Sequence, residues 1–74
     1  MTDAELVEAV AREVLKLDVR FVVTKPRALG AYVEYRTEDG CYKEFRPFSV
    51  YMDERDVQTR AALEAALMAE RGKK

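Results

Sequence analysis

Apolar residues recur at helical spacing over the first 17 positions of the chain. They cover one half of a helical wheel, and charged residues occupy the other half: Leu6, Val7, Val10, Ala11, Val14, Leu15 and Leu17 against Glu5, Glu8, Arg12, Glu13 and Lys16. Thr2, followed three residues later by Glu5, fits a capping box at the helix start. The pattern predicts an amphipathic helix from about residue 3 to residue 17, packed on one side only.

The period changes to two after this helix. Val19, Phe21 and Val23 occupy every second position of residues 18–24, which predicts a strand whose apolar side faces the core. Residues 25–30 contain a proline and a glycine and therefore favour a loop between antiparallel strands.

Residues 31–46 form the clearest pattern in the chain, a β-hairpin. Both arms are rich in strand-forming residues, and Asp39-Gly40 lies between them. A two-residue loop would mix apolar and charged residues on one face of the sheet. A three-residue loop, with Gly40 in the left-handed conformation, pairs Val33 with Phe45 and Thr37 with Cys41, so we predict the three-residue loop. It also places two glutamates opposite each other, Glu34 and Glu44, and Arg36 or Arg46 nearby would relieve their repulsion.

The hairpin ends at Pro47, which cannot donate a hydrogen bond to a neighbouring strand. Residues 48–52 fit either a continuing strand or a packed connector, and both remain open. Asp53 is the predicted N-cap of a second helix that runs to about Arg71, with Gly72 as its stop. The five alanines at 61, 62, 65, 66 and 69 are strong helix formers.

The order of these elements is α-β-β-β-α. It predicts an α+β fold in a single small globular domain over residues 1–74, with a three-stranded antiparallel meander and two helices packed on one face of the sheet.

The two faces of the predicted sheet differ in composition. The face toward the helices is predicted to hold Val19, Phe21, Val23, Val33, Tyr35 and Phe45. The outward face has Glu34 and Glu44 among tyrosines and arginines, which are enriched in binding hot spots. An ordinary solvated face is the alternative reading. The candidate protein-binding residues on this face are Arg20, Tyr32, Arg36, Tyr42 and Arg46.

The second helix carries more apolar surface than one sheet can cover. Leu63 and Leu67 lie on one flank, and Val57, Ala61 and Met68 lie on the other. The second flank has to meet the first helix, a second copy of the chain or a partner. We predict a homodimer, or a groove for a partner protein, at Val57, Ala61 and Met68.

Composition argues against catalysis and against a bound cofactor or metal. The chain has no histidine, which removes the usual general base and a common metal ligand. Its three glycines are isolated, so no glycine-rich phosphate loop exists. The acids at Asp53, Glu54 and Asp56 are read as helix caps. We therefore expect a protein that is not an enzyme and that binds no cofactor.

One cysteine cannot form an internal disulfide, and no apolar run approaches the about 20 residues of a membrane span. The first residues lack the pattern of a secretory signal. A cytoplasmic protein without membrane contact is therefore expected. Cys41 follows the turn glycine, so its thiol is expected to be accessible.

The α-β-β-β-α order resembles that of double-stranded RNA-binding domains, and residues 61–67 are similar to the alanine-rich second helix of that family. The resemblance implies a helix whose first turn grips phosphates with lysines. Residues 53–57 stand there in this chain and are net negative, which would repel phosphate. With a net charge of −1 as well, nucleic acid is an unlikely partner.

These observations favour a non-enzymatic protein-interaction module with a protein partner of unknown identity. A small adaptor, or a stoichiometric inhibitor that occupies a surface of a larger protein machine, is the leading hypothesis. Phage-encoded inhibitors of host machines, anti-CRISPR proteins among them, share this size and character. The alternative is a nucleic-acid-binding module with the topology of the double-stranded RNA-binding domains but without their basic motif.

Overall fold

The computed structural model describes residues 1–24, 31–48 and 54–73. The elements follow in the order α1 (Asp3–Ala9), a π-helical segment (Val10–Val14), β1 (Asp18–Val23), β2 (Tyr32–Arg36), β3 (Tyr42–Phe45) and α2 (Glu54–Arg71). The three strands form one antiparallel sheet in the order β1-β2-β3. The predicted α+β order is confirmed.

The first helix consists of α1 and the π-helical segment together. Its capping box is confirmed: the Glu5 backbone N–H donates to Thr2 Oγ1 at 3.2 Å, and the Thr2 N–H donates to Glu5 Oε1 at 3.0 Å. The end of the helix differs from the prediction. The Leu15 N–H bonds to the Val10 carbonyl, five residues back, and Lys16 then turns left-handed with a φ of 57°. This wider turn ends the helix before residue 17, where the apolar period alone gave no signal for a stop.

The register of the hairpin agrees with the predicted three-residue loop. Val33 pairs with Phe45, and Glu34 pairs with Glu44. The Thr37 N–H donates to the Cys41 carbonyl at 2.8 Å, and Gly40 has a φ of +86°, which a side chain would strain. Cys41 is exposed, as expected for a residue beside the turn.

Strand β1 contains a β-bulge that the sequence pattern did not predict. Val19 pairs with Tyr35 and Phe21 pairs with the next residue of β2, Glu34, so Arg20 is an extra residue in β1 between them. The bulge reverses the alternation, and Phe21 lies on the face opposite Val19. The prediction that Phe21 and Val23 pack against the helices is therefore wrong. Val22 takes the position across from Val33 on the inner side, although it is 39% exposed there.

The core lies between the first helix and the inner face of the sheet. The buried apolar residues among those described come mainly from these two layers: Leu6, Val7, Val10, Ala11, Val19, Tyr32, Val33 and Leu67. Helix α2 joins the core through Leu63 and Leu67, which pack against the first helix, and Phe45 and Phe48 fill the space nearby. Because the first helix supplies most of the cover for the sheet, α2 is buried along one side only.

Ion pairs connect α2 to the first helix at its C-terminal end and near its middle. Arg71 forms two bonds of 2.9 Å with the Glu13 carboxylate, and the ammonium of Lys16 lies 3.3 Å from Glu70. Near the middle of α2, Arg60 pairs with Asp3 at the start of the first helix. These pairs are at least partly exposed, so each contributes modestly beside the packing of Leu63 and Leu67.

Three predictions fall wholly or mostly on residues outside the described ranges: the loop at 25–30, the undecided segment at 48–52, of which only Phe48 is described, and the N-cap at Asp53. Helix α2 ends at Arg71 next to Gly72, as predicted. Neither described helix is long and apolar enough to cross a membrane.

Candidate functional site

The outer face of the sheet, turned away from the helices, holds the predicted protein-binding residues. The register places three rows of side chains on it, one row from each strand: Asp18, Arg20, Phe21 and Val23 from β1, Tyr32, Glu34 and Arg36 from β2, and Tyr42, Glu44 and Arg46 from β3 and its end. All five residues predicted for this face lie on it. The bulge adds Phe21, which the sequence pattern assigned to the core.

Phe21 and Tyr42 form an exposed aromatic pair across the central strand. Phe21 is 57% exposed and Tyr42 is 58% exposed. Their ring centroids lie 6.5 Å apart with the planes tilted by 46°, a separation at which aromatic rings attract each other. The two rings come from the two edge strands and reach toward each other over β2. They form the apolar centre of the outer face.

Tyr32 lies on the outer face but is not accessible there. It is 8% exposed, and the guanidinium carbon of Arg46 lies 3.7 Å from the centre of its ring. This contact is a cation–π interaction, which is favoured by the negative face of the ring. Arg46 therefore shields the Tyr32 ring from solvent, so a molecule that approaches this face would contact Arg46 before Tyr32.

Arg46 is held in that position by Glu44. Its Nε and Nη2 donate to the two carboxylate oxygens at 3.0 and 3.1 Å. The hydrogen bonds from Arg46 lower the pKa of the Glu44 carboxyl, and the Tyr32 hydroxyl adds to the effect. The same bonds to Glu44 raise the pKa of Arg46. The predicted hairpin register implied repulsion between Glu34 and Glu44, and this ion pair reduces that repulsion.

Charges on the outer face are balanced. Three carboxylates, those of Asp18, Glu34 and Glu44, share it with three guanidinium groups, those of Arg20, Arg36 and Arg46. Arg20 donates to Asp18 Oδ2 at 2.9 Å, so two of the three arginines are paired within the face. The face has no net charge to attract a polyanion.

An open depression of about 470 Å³ lies beside the aromatic pair. It is lined by Glu34, Tyr42, Lys43, Glu44 and Arg46. Its walls are mostly charged side chains with one aromatic ring, which suits the polar rim of a protein interface better than an enclosed site for a small apolar ligand.

The residues predicted for helix α2 lie on a separate surface. Val57 and Met68 are each 74% exposed, and Ala61 is exposed between them. Contact with the first helix was one of the three arrangements considered for this flank. The exposure of these residues shows that the first helix does not cover it. Next to it, a groove of about 240 Å³ has an apolar floor and a charged rim: Met1, Leu6, Leu67 and Met68, with Arg60, Glu64 and Arg71.

Sequence reasoning missed Phe21 because Val22 and Val23 are both apolar. With apolar residues at 19, 21, 22 and 23, the strand can place apolar side chains toward the core in either register. The structure places Val19 and Val22 on the inner side, a spacing of three that requires one extra residue, and of the two only Val19 is buried. An odd apolar spacing within a strand is the signal that could have indicated the bulge.

Metal binding has no support in residues 1–24, 31–48 and 54–73, where no group of three acidic, cysteine or histidine side chains is arranged to hold an ion. Comparison of the chain with protein-family models, curated proteins and solved structures gave no match in any of the three. A fold class by itself carries no activity, so the function has to be inferred from the outer face of the sheet and the exposed flank of α2.

Proposed function

We propose that the chain is a non-enzymatic protein-interaction module that binds another protein through the outer face of its sheet. The observation that supports this most is the exposed aromatic pair of Phe21 and Tyr42. A small domain has little apolar surface to spare for its own core, so two large rings left in solvent on one face favour a contact with something else. A cytoplasmic location is part of this proposal.

The surroundings of the pair have the character of a protein interface. Aromatic residues and arginine are enriched at the centres of such interfaces, and charged groups surround them as a rim. Here the ion pairs Arg20–Asp18 and Arg46–Glu44 flank the rings. Because these arginines are already held by carboxylates, less side-chain freedom is lost when a partner binds.

The balanced charge of the face supports a protein as the partner over a nucleic acid. A phosphate backbone is bound by several unpaired lysines or arginines along a groove. On the outer face, carboxylates match guanidinium groups in number, and Glu34 and Glu44 lie opposite each other on neighbouring strands. An adaptor, or an inhibitor that occupies a surface of a larger protein, is the role that fits such a face.

The test is capture of proteins from a lysate of the organism that encodes the chain, with matched variants. Phe21→Ala, Tyr42→Ala and Arg36→Ala each remove an exposed side chain from the face, and we expect at least one of them to weaken binding about 30-fold, as a hot-spot residue does. Leu15→Ala is the control, because Leu15 is an exposed apolar residue at the end of the first helix, away from the outer face. Tyr32→Ala is a poor probe, since Tyr32 is covered by Arg46.

A protein retained equally by all three variants, with unchanged circular dichroism, would move the interface away from this face. Retention that fails for Leu15→Ala as well would show a general loss of folding.

Single-stranded nucleic acid is the second candidate, and the same aromatic pair is the observation that favours it. Exposed rings stack on bases in proteins that bind single strands without sequence preference. Labelled single-stranded RNA and DNA separate the two candidates. Binding that falls steeply with salt and is lost in Phe21→Ala would overturn the protein-partner proposal.

A further inference from the structure

Helix α2 carries a regular seam on its uncovered flank. Alternating steps of four and three residues connect Val57, Ala61, Glu64, Met68 and Arg71. This is the spacing of a coiled-coil seam, in which two helices meet along one stripe. The α2 seam, as these five residues are called below, lies on the exposed side of α2, and the two large apolar residues in it are each 74% exposed.

We propose that the α2 seam is the interface of an antiparallel homodimer of this chain. The seam is complementary to itself when a second copy is turned end for end, with the two-fold axis between residues 62 and 63. Val57 then meets Met68 of the second copy, and Ala61 meets Glu64. A surface whose positions match each other under a two-fold rotation is what an isologous dimer interface requires.

Charges within the α2 seam favour the same arrangement. Turning the second copy end for end keeps Glu64 apart from Glu64 of the second copy, and Arg71 apart from Arg71. A parallel dimer would instead bring like charges together, Glu64 against Glu64 and Arg71 against Arg71, which costs stability. Antiparallel packing also sets the two helix dipoles in opposition.

The charged members of the seam are already neutralised within the chain. The Nε of Arg60 lies 2.9 Å from Glu64 Oε1, so the carboxylate brings its counter-ion to the interface. Arg71 uses its Nε and one Nη for Glu13, and a guanidinium group has further N–H donors for a second carboxylate. Neither side chain is buried, so both can remain at the wet edge while Val57 and Met68 pack between them.

Small residues and an adjacent groove make room for the second copy. Ala61 and the neighbouring alanine at 65 let two helix backbones approach closely. The groove of about 240 Å³ next to Met68 has an apolar floor formed by Met1, Leu6 and Leu67. An 18-residue helix spans about 27 Å, enough for the five seam positions and their mates to lie in register.

The test is the mass in solution, measured by sedimentation equilibrium across the micromolar to millimolar range in a Cys41→Ser background that prevents disulfide dimers. We expect twice the 8.5 kDa of one chain at the upper concentrations. Met68→Glu puts a carboxylate opposite Val57 and should weaken association about 30-fold or more. Ala62→Glu is the matched control, because Ala62 is exposed on the same helix but lies outside the seam.

A monomer at every concentration would overturn the proposal, and so would a dimer that Met68→Glu leaves intact. If Met68→Glu unfolds the chain, Val57→Glu is measured in its place. Unfolding by both would show that this flank belongs to the protein's own core, and the proposal would fail.

Cysteine pairs test the direction of the helices. Val57→Cys and Met68→Cys chains, each in the Cys41→Ser background, are mixed and mildly oxidised. The antiparallel arrangement predicts mostly mixed disulfides between position 57 of one chain and position 68 of the other. Disulfides formed mainly between identical chains would contradict it.

Discussion

The two faces of the sheet carry similar kinds of residue but use them differently. On the inner face, Val19 and Val33 are almost completely buried beneath the first helix. On the outer face, Phe21 and Tyr42 have larger side chains than these two valines, yet more than half of each residue is exposed. A single extra residue, Arg20, separates these outcomes in β1.

The difference shows that the size of an apolar side chain does not decide whether it enters the core. A chain of 74 residues buries only about 60% of its unfolded surface, so it cannot cover every large side chain. On the inner face, the compact β-branched side chains of Val19 and Val33 fit under the first helix. The outer face keeps two rings in solvent.

The largest difference is expected from placing a charge on each face. Val33→Asp buries a carboxylate at a site with no exposed surface, and we expect a loss of about 4 kcal/mol or more. The whole domain has a stability of roughly 4–11 kcal/mol, so this loss is at least about a third of the total and should lower the denaturation midpoint sharply.

Tyr42→Asp is the matched control on the neighbouring strand. It introduces the same charge on the outer face and should lower the free energy of unfolding by less than about 1 kcal/mol. A loss in Val33→Asp as small as that in Tyr42→Asp would show that the inner face is not the core.

A smaller effect is expected from deleting Arg20. In the bulged strand, the deletion joins Val19 to Phe21, and both keep their partners on β2. The chain should therefore fold, with a loss of about 1–2 kcal/mol that includes the exposed ion pair to Asp18. In a regular strand without a bulge, the same deletion would turn half of β1 to the wrong face. Denaturant unfolding decides between the two, and a deletion variant that cannot fold would contradict the bulge.

The smallest effect concerns protonation of Glu44. Its pKa is lowered in the folded state, mainly by Arg46, so the folded state is favoured above the unfolded pKa. That contribution is lost as the pH falls through the lowered, folded-state pKa. Arg46→Gln should raise the pKa of Glu44 toward its ordinary value in an NMR titration. Glu13, whose pKa is lowered mainly by Arg71, should not change, and a pKa of Glu44 that stays low would show that Arg46 is not its cause.

Local sequence rules were sufficient for much of the fold. The capping box at Thr2 and Glu5 and the turn at Gly40 involve residues within a few positions of each other, and both are confirmed. The hairpin register followed because a slip of one residue between Val33 and Phe45 would have mixed apolar and charged side chains.

The remaining features depend on contacts that are distant in sequence. The bulge at Arg20 was not evident, because three apolar residues in a row at 21–23 satisfy either alternation. The π-helical turn at Val10–Val14 has no sequence signature of its own. Tyr32 was predicted to be a contact residue of the outer face. That Arg46 covers its ring depends on how β2 and β3 lie beside each other, which local sequence rules do not show.

The most direct test of the account is the free energy of unfolding of Phe21→Ala beside that of Val19→Ala, measured by denaturant titration. In the structure, the bulge turns Phe21 outward, where it forms the aromatic pair with Tyr42, while Val19 stays in the core. Val19→Ala should therefore cost about 2 kcal/mol, and Phe21→Ala, although it removes a larger side chain, less than about 1 kcal/mol. A loss of about 3–5 kcal/mol in Phe21→Ala, as for a buried phenylalanine, would contradict the account.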